Sequence, residues 1–563
     1  ETHPPQLYSD MIVILQGHSG WKELSMFSFL NKPDHPMVDV KQTKKLLAEL
    51  PQDDAFKALG EIKDWLNSVK TTAGFRPETR AEIILLLDET GLVFYDKLLE
   101  LYLGEPHLLD FKGHQLWQVM HDHKEAVADA YIVCLEEYQQ TEKKSAGYTQ
   151  TAALVCVRLI RTISEQMQLN MMRYIEPEQT AWEYLYNCFA FATAHRIVDV
   201  TLRAYPNQTQ TTSPHHEFLR VLMLYISSPE TLAPDQIVAC YHIAGLLAGS
   251  FEFKETPDAG CTHFIDFTKS IAPKRMSDKV QSAPSLRYFG ATKAVSKVDS
   301  ILEFQAQAIA HKEQRGKNEF APSGKLTLLK HLHLYWGKKQ PGRNQGRQDT
   351  ISTLEVVHGI QAISEKVTQI DQGNLVNLPT DKVITTRTSS AIKLSTSEVA
   401  AETEIWIVFN TSENGVGGII PKATGTWVKI GDICAIKLED THLWWVGMVR
   451  RLKTGKDGDT QVGIEILAKK PLAVWLRMPN RNAGKGFEWE AGLATSVRKS
   501  KPAILLPDTN NSYANATMLV ESGSFAANKE YELKMGKTSI VKLTGLLEEG
   551  EDYERVSFSL SNA

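Results

Sequence analysis

Residues 405–421 read IWIVFNTSENGVGGIIP. The segment opens as an apolar strand, stops at Asn410, passes three glycines and turns apolar again before Pro421. Aromatic and β-branched residues running into Asn, Ser and Gly are the pattern of a strand entering a hairpin. Local turn chemistry explains the glycines only if nothing else in the chain converges on them.

Outward from this hairpin the two-residue period continues. TLEVVHGIQAI (353–363), GTWVKIGDICAIKL (425–438), WWVGMVRRL (444–452) and TQVGIEILA (460–468) read as short strands separated by Gly, Asp and Asn turns. Strands this short and dense predict a small barrel, which leaves no exposed edge. After about residue 495 come PAILLP, ATMLVES, YELKMG, SIVKLTGLL and YERVSFSL, which form a second β module or complete the first. In the WW pair, Trp444 and Trp445 point to opposite faces of a strand, so one belongs to the core.

Up to about residue 313 the period is helical. Phe56, Leu59, Ile62, Leu66 and Val69 recur every three or four residues on one face. Thr180 and Glu183 have capping-box spacing, and 233–251 carries Pro234 near its start and Gly249 near its end. The pattern predicts roughly ten helices in antiparallel pairs, without a sustained repeat. QRGKNEFAPSG (314–324) reads as a linker, followed by a connecting helix with Leu326, Leu329, Leu332 and Trp336 on one face.

The chain has 563 residues, enough for two to four domains, with 42% hydrophobic and 23% charged residues, as in ordinary globular protein. A formal charge of −5 argues against a general nucleic-acid binder. Cys134, Cys156, Cys188, Cys240, Cys261 and Cys434 form no close pair, which argues against zinc or a disulfide framework and for a reducing cytoplasm. No run reaches the length of a membrane span, and MIVILQG (11–17) is short for a signal sequence. The chain begins at Glu1 rather than Met, and its first thirty residues carry little weight in this reading.

Catalytic signatures are missing: no GxSxG, HExxH or Walker motif occurs, and RNAGKGF (481–487) lacks the P-loop spacing. Among His121, His123 and Glu125, His121 and Glu125 stand four apart on a helix, and without a third ligand they read as a solvated face, as do the pairs His215–His216 and His331–His333. Two other patterns carry chemistry. GRNQGR places Arg343 and Arg347 four apart just before the first strand, and NTSENG places Asn410, Ser412 and Gly415 at the end of another. Arginine forks grip phosphate or the O6/N7 edge of guanine. Asn and Ser offer short donors and acceptors, and glycine permits a positive-φ turn or close backbone approach. Together they make a clamp for a guanine nucleotide on a barrel surface.

This arrangement resembles the PilZ domain, the bacterial receptor module for cyclic di-GMP, which carries RxxxR in a loop leading into a β-barrel and (D/N)xSxxG on the barrel. Arg343 and Arg347 match the first motif; Asn410, Ser412 and Gly415 match the second. Gly431, Val449, Arg450 and Gly463 fit the later PilZ strands. RxxxR also occurs at Arg76–Arg80 and Arg477–Arg481, so order and context carry the match. The interval from Arg343 to Asn410 exceeds the PilZ norm because of an insertion over 362–404.

The resemblance implies that the arginines bind guanine and phosphate, that Asn410 and Ser412 contact a guanine, and that Gly415 shapes the turn. The expected protein is an α+β multidomain chain. An all-α helical N-terminal region spans 1–313, a linker and connecting helix 314–336, a PilZ-like antiparallel β-barrel 337–480, and a C-terminal β module 496–563. Its expected function is a cytoplasmic cyclic di-GMP effector, not an enzyme, with no cofactor or metal and no nucleic-acid partner. The helical region would dock a protein. The alternative is a nucleotide-independent scaffold with a degenerate PilZ-like barrel; RNA binding by the barrel ranks third, against the acidic charge.

Overall fold

The helical period of the N-terminal half is realised as α1 (Val40–Leu47), α2 (Ala55–Thr71), α3 (Pro77–Gly104), α4 (Phe111–Gln140), α5 (Ala146–Met172), α6 (Gln179–Ala194), α7 (Pro214–Ile226) and α8 (Pro234–Leu247). The computed structural model describes residues 33–104, 111–277, 280–314, 323–339, 346, 348–371, 403–421, 424–425, 427–455, 458–479, 500–507, 515–535 and 537–562. By contact it divides into two units, residues 1–310 with 324–342 and residues 311–323 with 343–563.

In the first unit, consecutive helices pack on one another, α2 with α3, α3 with α4, α4 with α5 and α7 with α8. The face read from sequence is the buried one: Leu59, Ile62, Leu66 and Val69 lie in the core, while Phe56 is 41% exposed. Asp54, Ser145 and Ser213 cap their helices with side-chain bonds to the first-turn amides. Pro234 begins α8, and the Gln236 side chain accepts from the Ala233 amide at 3.1 Å. The box expected at Thr180 and Glu183 does not form. α6 begins at Gln179, two residues earlier than a Thr180 cap requires, so Thr180 sits inside the first turn and its hydroxyl donates to Glu178 Oε2 at 3.3 Å.

The charges buried among the described residues of this unit are compensated. Asp88, fully buried, accepts from the Tyr131 and Tyr205 hydroxyls at 2.7 and 3.0 Å and faces Arg158 at 3.6 Å. Arg158 also donates to the carbonyls of Ala204 and Leu85 and to Glu89.

After α8 the chain adds something the periodicity does not show, a four-stranded antiparallel sheet of order β1-β4-β2-β3: β1 (Glu252–Lys254), β2 (His263–Asp266), β3 (Lys274–Arg275) and β4 (Leu286–Gly290). Two to five residues per strand are too few for alternation to register in sequence. α9 (Thr292–Gln314) and α10 (Ser323–Trp336) follow. Residues 315–322 of the expected linker lie outside the described residues. α10 is part of the helical core: Leu328, Leu332 and Trp336 are buried, and the Trp336 indole donates to Ser227 Oγ at 2.7 Å.

The second unit opens with β5 (Gln348–His358). Gly359 then takes φ +81°, and Ile360, Ile363 and Val367 fall at helical spacing on α11 (Ile360–Asp371). TLEVVHGIQAI is therefore a strand turning into a helix, not one strand, and the expected insertion begins as α11; residues 372–402 lie outside the described residues. The chain returns as β6 (Glu404–Ser412), β7 (Gly415–Ile420), β8 (Ile433–Leu438), β9 (Trp445–Thr454) and β10 (Thr460–Ala468), a closed antiparallel barrel of order β10-β7-β6-β5-β8-β9. β8 begins only at Ile433, so GTWVKIG is not part of it. One end of the barrel is held by Glu404, which accepts from the indoles of Trp406 and Trp427 at 2.8 and 2.9 Å.

β11 (Leu472–Arg477) lies inside the 337–480 range expected for this barrel, yet it pairs with β12 (Lys501–Leu506) and β14 (Glu530–Met535). With β13 (Thr517–Glu521), β15 (Lys537–Glu549) and β16 (Tyr553–Asn562) these strands close a second barrel, ordered β11-β12-β13-β16-β15-β14. The C-terminal strands thus form their own module.

The two barrels share a core. Val357, Ala435 and Val446 are cross-strand neighbours on the outside of the first barrel, and with α11 they pack against Ile504, Leu519 and Tyr553 of the second. Tyr553 donates to the Gly431 carbonyl at 2.9 Å, and Arg450 bridges Glu465 and Glu548, both at 2.6 Å. Trp444 belongs to this core, and Trp445 is half-buried.

Asp432 lies at the same junction. Burial raises its carboxyl to about 7, with Asp552 and Glu551 adding to the rise against Lys429. A raised carboxyl penalises the folded state as pH climbs from about 4 to about 7. Asp432→Asn keeps an acceptor for the Lys429 amide, which donates to Asp432 Oδ2 at 2.9 Å. Thermal melts of this variant should match the parent near pH 4 and exceed it by a margin that grows up to about pH 7 and then levels.

Candidate functional site

Side chains alternate along β6, with Trp406 and Val408 buried inside the barrel and Ile405 and Ile407 outside at 60% and 48% exposure. Strict alternation would turn Asn410 and Ser412 inward too. The register prevents it: Val408 opposes Gly418, but Asn410 opposes Gly417, so Phe409 is an extra residue in a bulge. Thr411 now opposes buried Val416, while Asn410 and Ser412 share the outer face with Gly417 and Gly415.

Both bulge side chains lie over Gly417. A Cβ there would stand 2.5 Å from Asn410 Oδ1 and 3.0 Å from the Phe409 ring. This packing leaves Asn410 only 7% exposed although it faces outward. The Ser412 hydroxyl donates to the Gly415 carbonyl at 3.3 Å, and a Cβ on Gly415 would meet that hydroxyl and the Ile464 carbonyl at 3.3 Å each. Among the described residues positive φ does not extend to Gly415 or to the loop residues Glu413 and Asn414. Gly415 therefore serves by close approach rather than by the left-handed turn that its type allows.

The outer row continues across the barrel: Asn410, Gly417, Gly463 and Arg451 are successive cross-strand partners on β6, β7, β10 and β9. Two adjacent glycines leave about two strand spacings, ~10 Å, without side chains of their own. A second bulge at Gly463/Ile464 makes Arg450 the extra residue and puts Arg451 in the row. The resemblance singled out Arg450, which the carboxylates of Glu465 and Glu548 engage; Arg451 was visible only as its neighbour in MVRRL.

Arg343 and Arg347 lie outside the described residues. β5 enters the barrel at Gln348, which opposes Thr411, and Asp349 opposes Asn410. The first described residues of β5 thus lie beside Asn410. β5 and β6 pair directly. An amide, a hydroxyl and side-chain-free glycines share one outer face, a surface suited to a flat ligand with polar edges.

Other motifs resolve into structure. Arg80 of the Arg76–Arg80 copy is buried and donates to the carbonyls of Val69, Lys70 and Thr72 at the end of α2. Asp122 supplies the third ligand type beside His121 and Glu125, with ligand atoms within 4.8 Å of one another. It is already engaged by Lys63 and Gln118, and His123 is packed over Gly91 with burial holding its pKa down at about 3. RNAGKGF lies outside the described residues.

A helical region followed by a PilZ-type barrel and a second β-barrel defines a class of cyclic nucleotide receptor. Three family models match in chain order: the cyclic-di-GMP receptor FimW N-terminal domain over 41–258, its middle PilZ domain over 363–471, and the FimW C-terminal β-barrel domain over 494–561. The chain belongs to the FimW family of cyclic-di-GMP receptors, a receptor family and not a class of enzyme. The PilZ match begins after Arg343 and Arg347 and includes Asn410, Ser412 and Gly415. Among curated proteins no sequence matches significantly. No helix among the described residues is long and apolar enough to cross a membrane.

Gly417→Ala should displace the Asn410 amide and cost ~1–3 kcal/mol, the usual range for overpacking. Gly418→Ala, whose Cβ would meet the Ile407 carbonyl at 3.4 Å, should cost less. Urea titrations of the two variants, followed by tryptophan fluorescence, measure the difference.

Proposed function

We propose that this chain binds cyclic di-GMP on the outer face of its first barrel. Arg343 and Arg347 grip phosphate and a guanine edge, Asn410 and Ser412 contact guanine, and Gly415 keeps the backbone low enough for the ligand to approach. The observation that carries this reading is the β6 bulge: it turns Asn410 and Ser412 outward on the strand that pairs with the one the arginine segment enters. A ligand with two phosphates and two guanines suits two arginine forks, which neutralise charge and read base edges with the same group.

In this reading the helical unit is the output surface and docks a protein partner. A ligand drives that output only by binding two arrangements of the chain with different affinity. A cytoplasmic setting is consistent with six free cysteines, five of them buried.

Calorimetry with cyclic di-GMP tests the site. Charged hydrogen bonds contribute roughly 1.5–3 kcal/mol, so Arg343→Ala and Asn410→Ala should each weaken binding about tenfold to a hundredfold. Arg76→Ala, on the exposed end of the structural RxxxR copy, should leave it unchanged. Unchanged affinity in both site variants would remove the assignment. No binding by the parent protein would favour the scaffold.

A further inference from the structure

The bulge that turns Asn410 outward has a counterpart across the same face of the first barrel. β9 and β10 slip register at Gly463/Ile464, which puts Arg451 opposite Gly463 and makes Arg450 the extra residue. The two arginines then part company. Arg450 donates to Glu465 and Glu548, both at 2.6 Å, and so is committed to joining the barrels. Arg451, half-buried, ends the outer row that Asn410 begins.

Between these ends the face is low. The Asn410 amide and the tip of the Phe409 ring close over Gly417. At Gly463 an added Cβ would meet, within 4 Å and among the described residues, only Arg451: its Cβ at 3.2 Å and its carbonyl oxygen at 3.9 Å. The surface over Gly463 is therefore open, with Asn410 and Phe409 on one side and the stem of Arg451 on the other. Three strand spacings separate Asn410 from Arg451, about 14 Å between backbones, wide enough for one planar base hydrogen-bonded at both edges.

The chemistry of the two ends differs. Asparagine both donates and accepts, whereas the arginine fork only donates. Guanine presents two acceptors side by side, O6 and N7; adenine replaces the first with the N6 amino donor. A fork aimed along the row therefore suits guanine and meets a donor with a donor at adenine. Lys453, two residues on along β9 and opposite Gln461, belongs to the neighbouring outer row, and its ammonium is a point charge without that geometry.

We propose that Arg451 is a further ligand-gripping and specificity-determining residue, whose fork donates to O6 and N7 of the guanine that Asn410 contacts at its other edge. The proposal rests on the reading that cyclic di-GMP binds the outer face of this barrel. It adds a third arginine, supplied from the strand farthest from the first two along the row, and it makes the preference for guanine over adenine a property of the barrel itself.

The test uses the full chain and competition titrations with cyclic di-GMP, cyclic di-IMP and cyclic di-AMP at one salt concentration. The inosine ligand keeps O6 and N7 and lacks only the 2-amino group. Arg451→Ala should weaken cyclic di-GMP and cyclic di-IMP by the same factor, about tenfold to a hundredfold. Cyclic di-AMP should change little, so the preference for guanine shrinks by that factor. Arg451→Lys keeps the charge and loses the fork, and it should recover little of the lost affinity. Lys453→Ala should leave the base preference as it is in the parent. Thermal melts of each variant separate a lost contact from a lost fold.

Equal weakening of all three ligands would show that Arg451 acts through charge or packing, and full recovery by lysine would show the same; either overturns the proposal. Cyclic di-GMP binding that Arg343→Ala weakens and Arg451→Ala does not would overturn it while leaving the site reading in place. No binding of cyclic di-GMP by the parent protein would overturn both.

Discussion

One extra residue in one strand sets what the first barrel can present to a ligand. Without Phe409 in the bulge, Asn410 and Ser412 would continue the inward phase of Trp406 and Val408. A buried amide and hydroxyl inside a small barrel would need partners that its apolar interior lacks, at a cost of a few kcal/mol. The bulge converts that liability into a polar outer row. The glycines opposite follow from the same constraint. Gly417 lies under Phe409 and Asn410, and Gly415 lies against the Ile464 carbonyl, so a larger residue at either position would press against its neighbours.

The second barrel completes the first. The residues that join them, Val357, Ala435, Val446 and Met448, sit on the outside of the first barrel, a face that would otherwise be a large exposed apolar patch. α11 fills the seam, and Tyr553, Arg450 and Lys429 tie it with polar bonds around the rim. Part of the outer face is thus committed to packing, and the Asn410–Arg451 row runs across another part. Arg450 and Arg451 illustrate the division: two adjacent arginines, one held by Glu548 of the second barrel and one in the glycine row.

The helical unit follows a different economy. It buries Arg158 and Arg161 deeply, but each carries several hydrogen bonds, so the desolvation cost is offset. The buried hydroxyls of Tyr95 and Tyr241 have no such partners among the described residues.

Much of this was legible in the sequence, because amphipathic period is a local property: the helical face of α2, the strands β5 to β10 and the Asn-Ser-Gly hairpin follow from spacing alone. The two PilZ motifs were legible as well, since their residue types and order sit within short windows. Strand partnership was not. β11 reads like any strand of the first barrel, and only its hydrogen bonds to β12 and β14 assign it to the second. IQAI looked like more strand because a few apolar residues serve either period, and Gly359 with its positive φ decides it. The sequence by itself determined which residue types the two motifs bring: two arginine forks, an amide, a hydroxyl and a glycine. The tertiary structure decided which of them share a face, because a bulge shifts phase by one residue and its effect is read only against the neighbouring strand.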